Sequence, residues 1–518
     1  MALFRRLPDV AQQAMRLWPS ALSSSSVHRL ALGGDREGLL EREKSTSTKT
    51  RFESWKLLKQ TRLRRYVVFT GLASLLSLLL LLLAITSHKS NSADSLGPTH
   101  RHAQHLHLLI PTTDLHPELC KTILSAEVLH YPPPTLITWD AAGDDDADVD
   151  LQRRMTSVRD YLGELLTHHA NDTAILVDDA RVWFQLRPEV LLKRYFDVNR
   201  RANRRLKAGF GERVVRRYGV EQRVLFAASS DCDAGSSHCR DVLRYSSGAE
   251  DGLSFLGQGF AMGSIRDLHE IYRRAVAKVE RGSKTGSQLA VWREILDEQE
   301  SQRSLLRQEK GSWSEYLWSL LAWHGSEHDP DQNSTTSRHH RHPDEFGIGL
   351  DYSSELAIDA SNQPDSLSWS QHNHLPPDIL SSMPRFWTIG EHNLPTSKTW
   401  SDLPLLTSTF TNTIPAAITH NTSTPSDLLN PHWEKLWLHP FSRRLFDAYT
   451  AVPAMPLASV VDGEGVEQVF WSTTIGEKAG ARDGRGGWYG WRDVCGGGEG
   501  LAGEVFGDGE GEWRDPRP

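Results

Sequence analysis

The chain has 518 residues, of which 38% are hydrophobic and 24% charged, and its formal net charge at pH 7 is -8. This length is enough for one large folded domain or for two domains of ordinary size. The net charge is negative, whereas proteins that bind nucleic acids usually carry a large basic surface. We therefore expect no nucleic-acid partner.

The N-terminal part of the chain predicts a membrane anchor. Residues 1–65 are basic and Ser-rich, and we expect them to form a mostly disordered cytosolic tail. Residues 66–87 follow without a single charged side chain. A helix of that length spans about 33 Å, which matches the roughly 30 Å hydrocarbon core of a lipid bilayer. Because 65 residues precede this run, we interpret it as an uncleaved signal-anchor helix and not as a cleaved signal peptide.

The charges beside the apolar run predict its orientation. Six Lys and Arg residues lie between positions 51 and 65, whereas only Lys89 and Arg101 lie near the other end. Because positive flanks stay in the cytosol, we expect a single-pass type II protein of the Golgi or endoplasmic reticulum membrane. Residues 88–104 would then form a luminal stem. Glycosylation sequons on the luminal side begin at Asn171, Asn333 and Asn421.

The four cysteines bear on the same question. They are Cys120, Cys232, Cys239 and Cys495, and no C-x-x-C pair is present, so we do not expect a zinc ribbon. In an oxidising lumen an even count permits two disulfides. Cys232 and Cys239 are close enough in sequence to close a small loop. Free buried thiols are the alternative.

Short apolar runs alternate with helical patterns over residues 105–307. The apolar runs predict strands at 105–110, 135–139, 174–178 and 224–228. The helical patterns predict helices at 117–129, 151–168, 188–202, 265–281 and 288–307, with Asp114 as a candidate N-cap of the first. Strands separated by helices predict an α/β fold with a mostly parallel sheet and flanking helices.

The third predicted strand ends in two carboxylates, Asp178 and Asp179, before a helix that begins at Pro188. Ligands of open parallel sheets bind outside the carboxyl ends of the strands. Carboxylate oxygens at such a place suit a divalent cation, which can bridge the phosphates of a nucleotide sugar and neutralise the departing diphosphate. An Asp in this position can also cap a helix, and the pattern alone leaves both roles open.

This stretch resembles the strand-end motif of the glycosyltransferase domain in procollagen lysyl hydroxylases and in related fungal membrane-anchored proteins. Further segments resemble the same family in the same order, at 105–111, 119–125, 224–228, 255–263, 345–352 and 414–421. The similarity covers roughly residues 105–450, with a Trp-, Gly- and Cys-containing stretch near 487–513. It implies a GT-A type, Rossmann-like fold that uses a UDP-sugar and a metal such as manganese (Mn2+).

The resemblance also implies roles for individual residues. By position, Asp178 would be a metal ligand and His420 the histidine that completes the metal site. Arg181 stands where the family has a second carboxylate, so Asp179 is the candidate replacement, and the Arg181 guanidinium would contact the diphosphate. Asp351 would lie in the donor pocket. The alternatives are a core histidine for His420 and a turn or cap residue for Asp351.

Two further positions depart from the family's pattern. Gly257 stands where the family has Asn, and Gln288 and Leu289 stand where it has an Asp-Gln pair. Because an amide does not accept a proton usefully at neutral pH, we assign no catalytic base. Two functions follow: a luminal glycosyltransferase that moves a sugar from a nucleotide sugar to a protein or glycan, or a catalytically inactive relative that serves as a binding or scaffold protein.

The domain organisation follows from the same observations. We expect the glycosyltransferase-like domain at residues 105–450, with a polar, His-rich insertion at about 311–344. Residues 451–518 form a Gly- and Trp-rich C-terminal segment, and the composition of residues 455–518 predicts a solvated tail.

Overall fold

The computed structural model describes residues 102–113, 116–138, 147–177, 181–229, 255–281, 287–310, 345–361, 366–384, 397–420, 426–451, 456–462, 465–473, 479–496, 501–508 and 510. The predicted tail, the anchor at 66–87 and the insertion at 311–344 lie outside these ranges. Among the helices that the structure describes, none is both long and apolar enough to cross a bilayer.

The strands fall into three sheets. In chain order they are β1 His102–Pro111, β2 Thr135–Ile137, β3 Thr173–Val177, β4 Val182–Phe184, β5 Val224–Ser229, β6 Phe255–Ser264, β7 Ile348–Asp351, β8 Ala357–Asp359, β9 Leu367–Ser370, β10 Leu405–Ser408, β11 Ala417–Thr419, β12 Ala458–Val461, β13 Glu467–Ser472, β14 Gly480–Asp483 and β15 Trp488–Gly490.

The α-helices connect and cover these strands. In chain order they are α1 Pro117–Val128, α2 Ala147–His169, α3 Pro188–Phe210, α4 Glu212–Tyr218, α5 Ile265–Glu280, α6 Gln288–Lys310, α7 Pro377–Leu380, α8 Ser426–Lys435, α9 Ser442–Ala451, α10 Trp491–Cys495 and α11 Leu501–Phe506.

The main sheet has ten strands, eight of them in the order β15-β14-β2-β1-β3-β6-β5-β7. The other two extend from β1, because β13 pairs with its amino-terminal half and β12 pairs with β13. β1 is parallel to β2, β3 and β13, whereas β6 runs antiparallel to β3 and β5. The structure therefore confirms an α/β fold with a mostly parallel central sheet and flanking helices.

Both faces of strand β3, in the middle of the main sheet, are buried, which explains its apolar run from Ala174 to Val177. Successive residues of β3 point to opposite faces. Ile175 and Val177 pack into a core with α1 and α3, whereas Ala174 and Leu176 pack into a second core with α2, α5 and α6. A strand covered on both faces has no need for alternating polar residues.

The predicted strands and helices are all present, with shifted ends. The helix predicted to end at residue 202 continues to Phe210 and stops at Gly211, whose φ of 85° is in the left-handed region that favours glycine. Helix α1 has His116 as its N-cap, and its ring Nδ1 accepts a hydrogen bond from the Leu119 backbone N–H. The choice of Asp114 was therefore wrong, and Asp114 itself lies outside the described residues.

The prediction of a solvated C-terminal tail is also wrong. Strand β13 pairs with β1, and β14 pairs with β2, so the segment completes one side of the main sheet. Phe470 is 0% exposed. A disulfide between Cys120 and Cys495 joins helix α10 to helix α1. Composition misled here because the Gly residues lie in and between short strands and helices that carry a few buried aromatic side chains, such as Phe470 and Trp491.

Candidate functional site

The order of the strands creates a crevice at the carboxyl end of β1. The chain passes from β1 to β2 on one side, then crosses to β3 on the other side of β1. The connection that follows β1 at Pro111 and the one that follows β3 at Val177 therefore lead to opposite sides of the sheet. Such a switch point is where open α/β sheets bind their ligands.

A small second sheet lies beyond this crevice. Strand β4 follows β3 in the chain, but it pairs with β11 and not with the main sheet. β11 in turn pairs with β8. The connection from Val177 to Arg181 therefore passes from the main sheet to the small one. Asp178 and Asp179 are in this connection, and they lie outside the described residues.

Arg181 and His420 are neighbours in this small sheet. The pairing of β4 with β11 extends past Thr419, and the His420 backbone N–H donates to the Arg181 carbonyl at 3.0 Å. A histidine from the far end of the domain thus comes within one backbone hydrogen bond of the strand-end segment. The structure brings together the two described residues that the resemblance assigned to the metal and the diphosphate.

The His420 ring is buried, with the whole residue only 4% exposed. Its ring centroid lies 4.2 Å from the Trp183 ring and 6.2 Å from the His432 ring. Within the described part of the chain, the Nε2 atom of His420 and the indole nitrogen of Trp183 have no hydrogen-bond partner. The ring nitrogen without a partner agrees with a role of His420 as a metal ligand. The aromatic rings around it agree with the alternative, a histidine of the core.

Burial, reinforced by nearby positive charge, lowers the pKa of His420 to about 3. The charges belong to His432, Lys121 and Arg181. The imidazole is therefore neutral at physiological pH and keeps a lone pair, as metal coordination requires. The same charges disfavour a bare cation, so a metal would bind here best together with carboxylates or phosphates.

A buried ion pair forms another wall of the site. The ammonium group of Lys121 is fully buried in helix α1, and it donates to Glu118 at 2.9 Å. It also lies 5.7 Å from the centroid of the Trp183 ring and 6.0 Å from that of Trp433. Helix α1 follows β1, so this charge lies on the element that leaves the switch point.

Asp351 is the last residue of strand β7, and its carboxylate accepts hydrogen bonds from backbone N–H groups. One carboxylate oxygen accepts from the Glu355 N–H at 3.0 Å, and the other accepts from Leu356 at 2.6 Å and Ala357 at 3.3 Å. Burial raises its pKa to about 6, although these three hydrogen bonds act in the opposite direction. These contacts agree with the alternative role of Asp351 as a turn residue. The turn leads into β8 and so positions that strand beside β11.

The structure also describes the surroundings of Gly257 and Gln288, the two further positions that depart from the family's pattern. A side chain at Gly257 would meet the backbone of β5, because a Cβ atom there would lie 3.1 Å from the Ala227 carbonyl oxygen. The strand register shifts at this point, between Phe226 and Ala228. Gln288 begins helix α6 and is half-buried.

Sequence reasoning missed a second cluster of chemically capable residues. His105, His107, His169 and Asp172 converge near the amino ends of β1 and β3, away from the switch point. The spacing of His105-Leu-His107 on a strand was the available signal, because residues two apart share a face. Burial would raise the pKa of Asp172, but hydrogen bonds from His107, the His105 backbone and His169 lower it to about 2.

No protein-family model matches this sequence, and no curated protein matches it either.

Proposed function

We propose that this protein is a membrane-anchored glycosyltransferase of the secretory pathway. It would transfer a sugar from a nucleotide sugar, a UDP-sugar by resemblance, to a protein or glycan acceptor. The observation that carries the proposal is the backbone hydrogen bond between His420 and Arg181. It joins a distant histidine to the segment that leaves β3 at the switch point, where α/β sheets bind nucleotides.

The residues present fit a divalent cation such as Mn2+. His420 offers a neutral, orphaned ring nitrogen, and Asp178 and Asp179 are three and two positions before Arg181 in the sequence. Asp178 and His420 would hold the metal, with Asp179 as a further candidate ligand. When bound, the cation would neutralise the diphosphate that departs with the nucleotide.

The cationic side chains have a separate task in this proposal. Arg181 would hold the diphosphate through its planar fork of donors, which suits phosphate oxygens. The buried Lys121 would add positive potential behind the imidazole. Asp351 would act indirectly, because its turn holds the strand that pairs with β11.

The disulfide between Cys120 and Cys495 supports a luminal location. Disulfides persist in oxidising compartments and are rare in the cytosol. This agrees with an anchor at 66–87 and with a type II orientation in the Golgi or endoplasmic reticulum membrane. The switch point and the mixed second sheet likewise support the finer expectation of a GT-A type fold.

One observation favours the alternative, a catalytically inactive binding or scaffold protein. The His420 ring is sealed against Trp183, and the residue is only 4% exposed. Because Nε2 itself is buried, a ligand could reach it only after a local rearrangement. Gln288, where the family has an acid, points in the same direction because it cannot act as a base.

Calorimetric titration of the full-length chain in detergent distinguishes the two functions. We expect UDP to bind in the presence of MnCl2 and to bind at least tenfold more weakly in its absence. Asp178→Ala and His420→Ala should abolish the metal dependence. Asp160→Ala is the matched control, because this carboxylate is 59% exposed on helix α2. Circular dichroism establishes that each variant is folded.

Two results would overturn the proposal. No binding of UDP by the folded wild type at millimolar UDP and MnCl2 would establish the inactive alternative. Equal metal-dependent binding by all four proteins would show that the cation binds elsewhere.

A further inference from the structure

The second cluster of histidines brings three ring nitrogens to one carboxylate oxygen. Oδ2 of Asp172 lies 3.3 Å from Nδ1 of His105, 3.3 Å from Nε2 of His107 and 2.6 Å from Nδ1 of His169. The contacts of His107 and His169 are hydrogen bonds, and Nδ1 of His105 is a further ring nitrogen close to the same oxygen. Imidazole nitrogens gathered beside a carboxylate are the donor set of a zinc site.

The elements of the fold hold this arrangement in place. His105 and His107 lie two residues apart on β1 and therefore share one face. His169 ends helix α2, and Asp172 lies in the turn that leads to β3, the neighbour of β1. The His105 backbone N–H donates to the other oxygen of Asp172 at 3.2 Å. This contact fixes the carboxylate so that Oδ2 faces the imidazole rings.

One of the distances already equals that of a tetrahedral metal site, and a second needs a small adjustment. Ligands at 2.0–2.1 Å from zinc are separated from one another by about 3.3 Å in a tetrahedron. Oδ2 of Asp172 and Nδ1 of His105 are already 3.3 Å apart. The contact with His169 is shorter, at 2.6 Å, and a small rotation of that half-exposed ring would lengthen it. One ligand atom each from His105, His169 and Asp172 lie within 4.8 Å of one another.

We propose that His105, His169 and Asp172 bind a zinc ion, at a site separate from the one proposed for Mn2+. Imidazole nitrogens together with one carboxylate suit zinc, whereas magnesium and calcium prefer oxygen ligands alone. His107 is only 5% exposed, and its ring donates to the same carboxylate. It acts as a positioning residue, since such a hydrogen bond orients a ligating group.

Two of the three proposed ligands are partly exposed to solvent. The side chains of His105 and His169 are 43% and 36% exposed, whereas that of Asp172 is 12% exposed. An ion can therefore enter without opening the core, and a fourth position stays accessible to water. The bound ion would connect β1 to the turn between α2 and β3, and so stabilise the centre of the main sheet.

Zinc content of the full-length chain tests this site. The protein is purified without a histidine tag, stripped with a chelator, dialysed against micromolar zinc and measured by mass spectrometry of the metal. We expect about one zinc per chain at this site, lost in His105→Ala, His169→Ala and Asp172→Asn, and at least tenfold weaker affinity in His107→Ala. His168→Ala is the matched control, because His168 is an exposed neighbour of His169 that lies outside the cluster.

Two further considerations allow the zinc measurement to be interpreted. Asp178→Ala should keep this zinc, so loss of UDP binding and loss of zinc can be observed independently. The His-rich stretch at 339–342 is common to all variants and contributes an equal background. Zinc content that is the same in the wild type and in His105→Ala, both folded by circular dichroism, would overturn the proposal. Zinc binding that falls equally in His168→Ala would do the same.

Discussion

The imidazole of His420 packs against the indole of Trp183, with their ring centroids 4.2 Å apart and their planes inclined by 54°. Trp183 belongs to β4 and is 0% exposed. The indole of Trp183 thus packs against the imidazole of His420, the histidine of the proposed metal site, and restricts its orientation. Burial of that imidazole, with positive charge nearby, makes its protonation costly in the folded protein.

Acid should therefore destabilise the protein through His420. The unfolded chain binds a proton at this residue below its ordinary pKa of 6.5, while the folded chain does so only near pH 3. Stability from the neutral ring is present above pH 6.5 and is lost as the pH falls. Between pH 6.5 and pH 4, the free energy of unfolding should decrease by up to about 3 kcal/mol from this residue.

Urea unfolding at several pH values measures this effect. The variant His420→Leu should show a smaller loss of stability over the same pH range than the wild type. His168→Leu serves as control, because this histidine is exposed and its replacement should leave the slope unchanged. Identical slopes for the wild type and His420→Leu would contradict the burial described here.

A buried ion pair joins helix α6 to the segment before β7. Arg303 donates to both oxygens of Glu345, at 2.9 Å and 2.8 Å, and both side chains are less than a tenth exposed. Arg303→Met should lower the free energy of unfolding by about 3–5 kcal/mol, because it leaves the carboxylate buried without its partner. Chemical denaturation followed by tryptophan fluorescence gives this number.

The same helix offers the control for this change. Arg307 is 54% exposed, and its contact with Glu300 is 3.9 Å long. Arg307→Met should cost about 1 kcal/mol or less. A cost for Arg303→Met as small as that for Arg307→Met would show that the Arg303 pair is solvated.

Reduction of the bond between Cys120 and Cys495 should weaken the fold. Both residues are buried, and the bond ties the last part of the sheet to helix α1. In a chain with Cys232→Ser and Cys239→Ser, dithiothreitol should lower the free energy of unfolding by about 2–5 kcal/mol. Adding Cys495→Ala should remove this response. A response that persists in the triple variant would exclude the disulfide as its source.

The sequon at Asn421 provides a test of the proposed site that needs no ligand. Asn421 follows His420 directly, so a glycan there would crowd the ring that the proposed function uses. We expect mass spectrometry of the secretory-pathway protein to find Asn421 unmodified. The sequon at Asn333 is the internal comparison, since it lies in the polar insertion predicted at 311–344. Complete occupancy at Asn421 would count against a ligand-binding pocket.

The parts of the fold that the sequence predicts are those with long, uniform patterns. The run Ile175–Val177 is apolar because both faces of the sheet are covered, and its strand was predicted to within one residue at each end. Strand β13 was missed because only Val469, Phe470 and Trp471 interrupt a polar, Gly-flanked stretch. Its burial depends on β1, which lies more than three hundred positions earlier and leaves no local trace.

The candidate site shows the same limit. The proximity of Arg181 to His420 follows from the pairing of β4 with β11, and no spacing within either segment encodes that pairing. Only the resemblance suggested it. Asp351 could not be assigned from sequence either, because a carboxylate after a strand looks the same whether it faces a ligand or the backbone N–H groups of the next turn.

The position of β13 has a consequence for how the chain is made. Among the described strands β1 is synthesised first, yet half of it pairs with one of the last, β13. At roughly 5–20 residues per second, the ribosome needs on the order of tens of seconds to supply that partner. Through this interval the edge of β1 is open to pairing with the wrong segment. A chain cut short by a premature stop codon would keep that edge permanently, which makes it a natural client for chaperones and degradation.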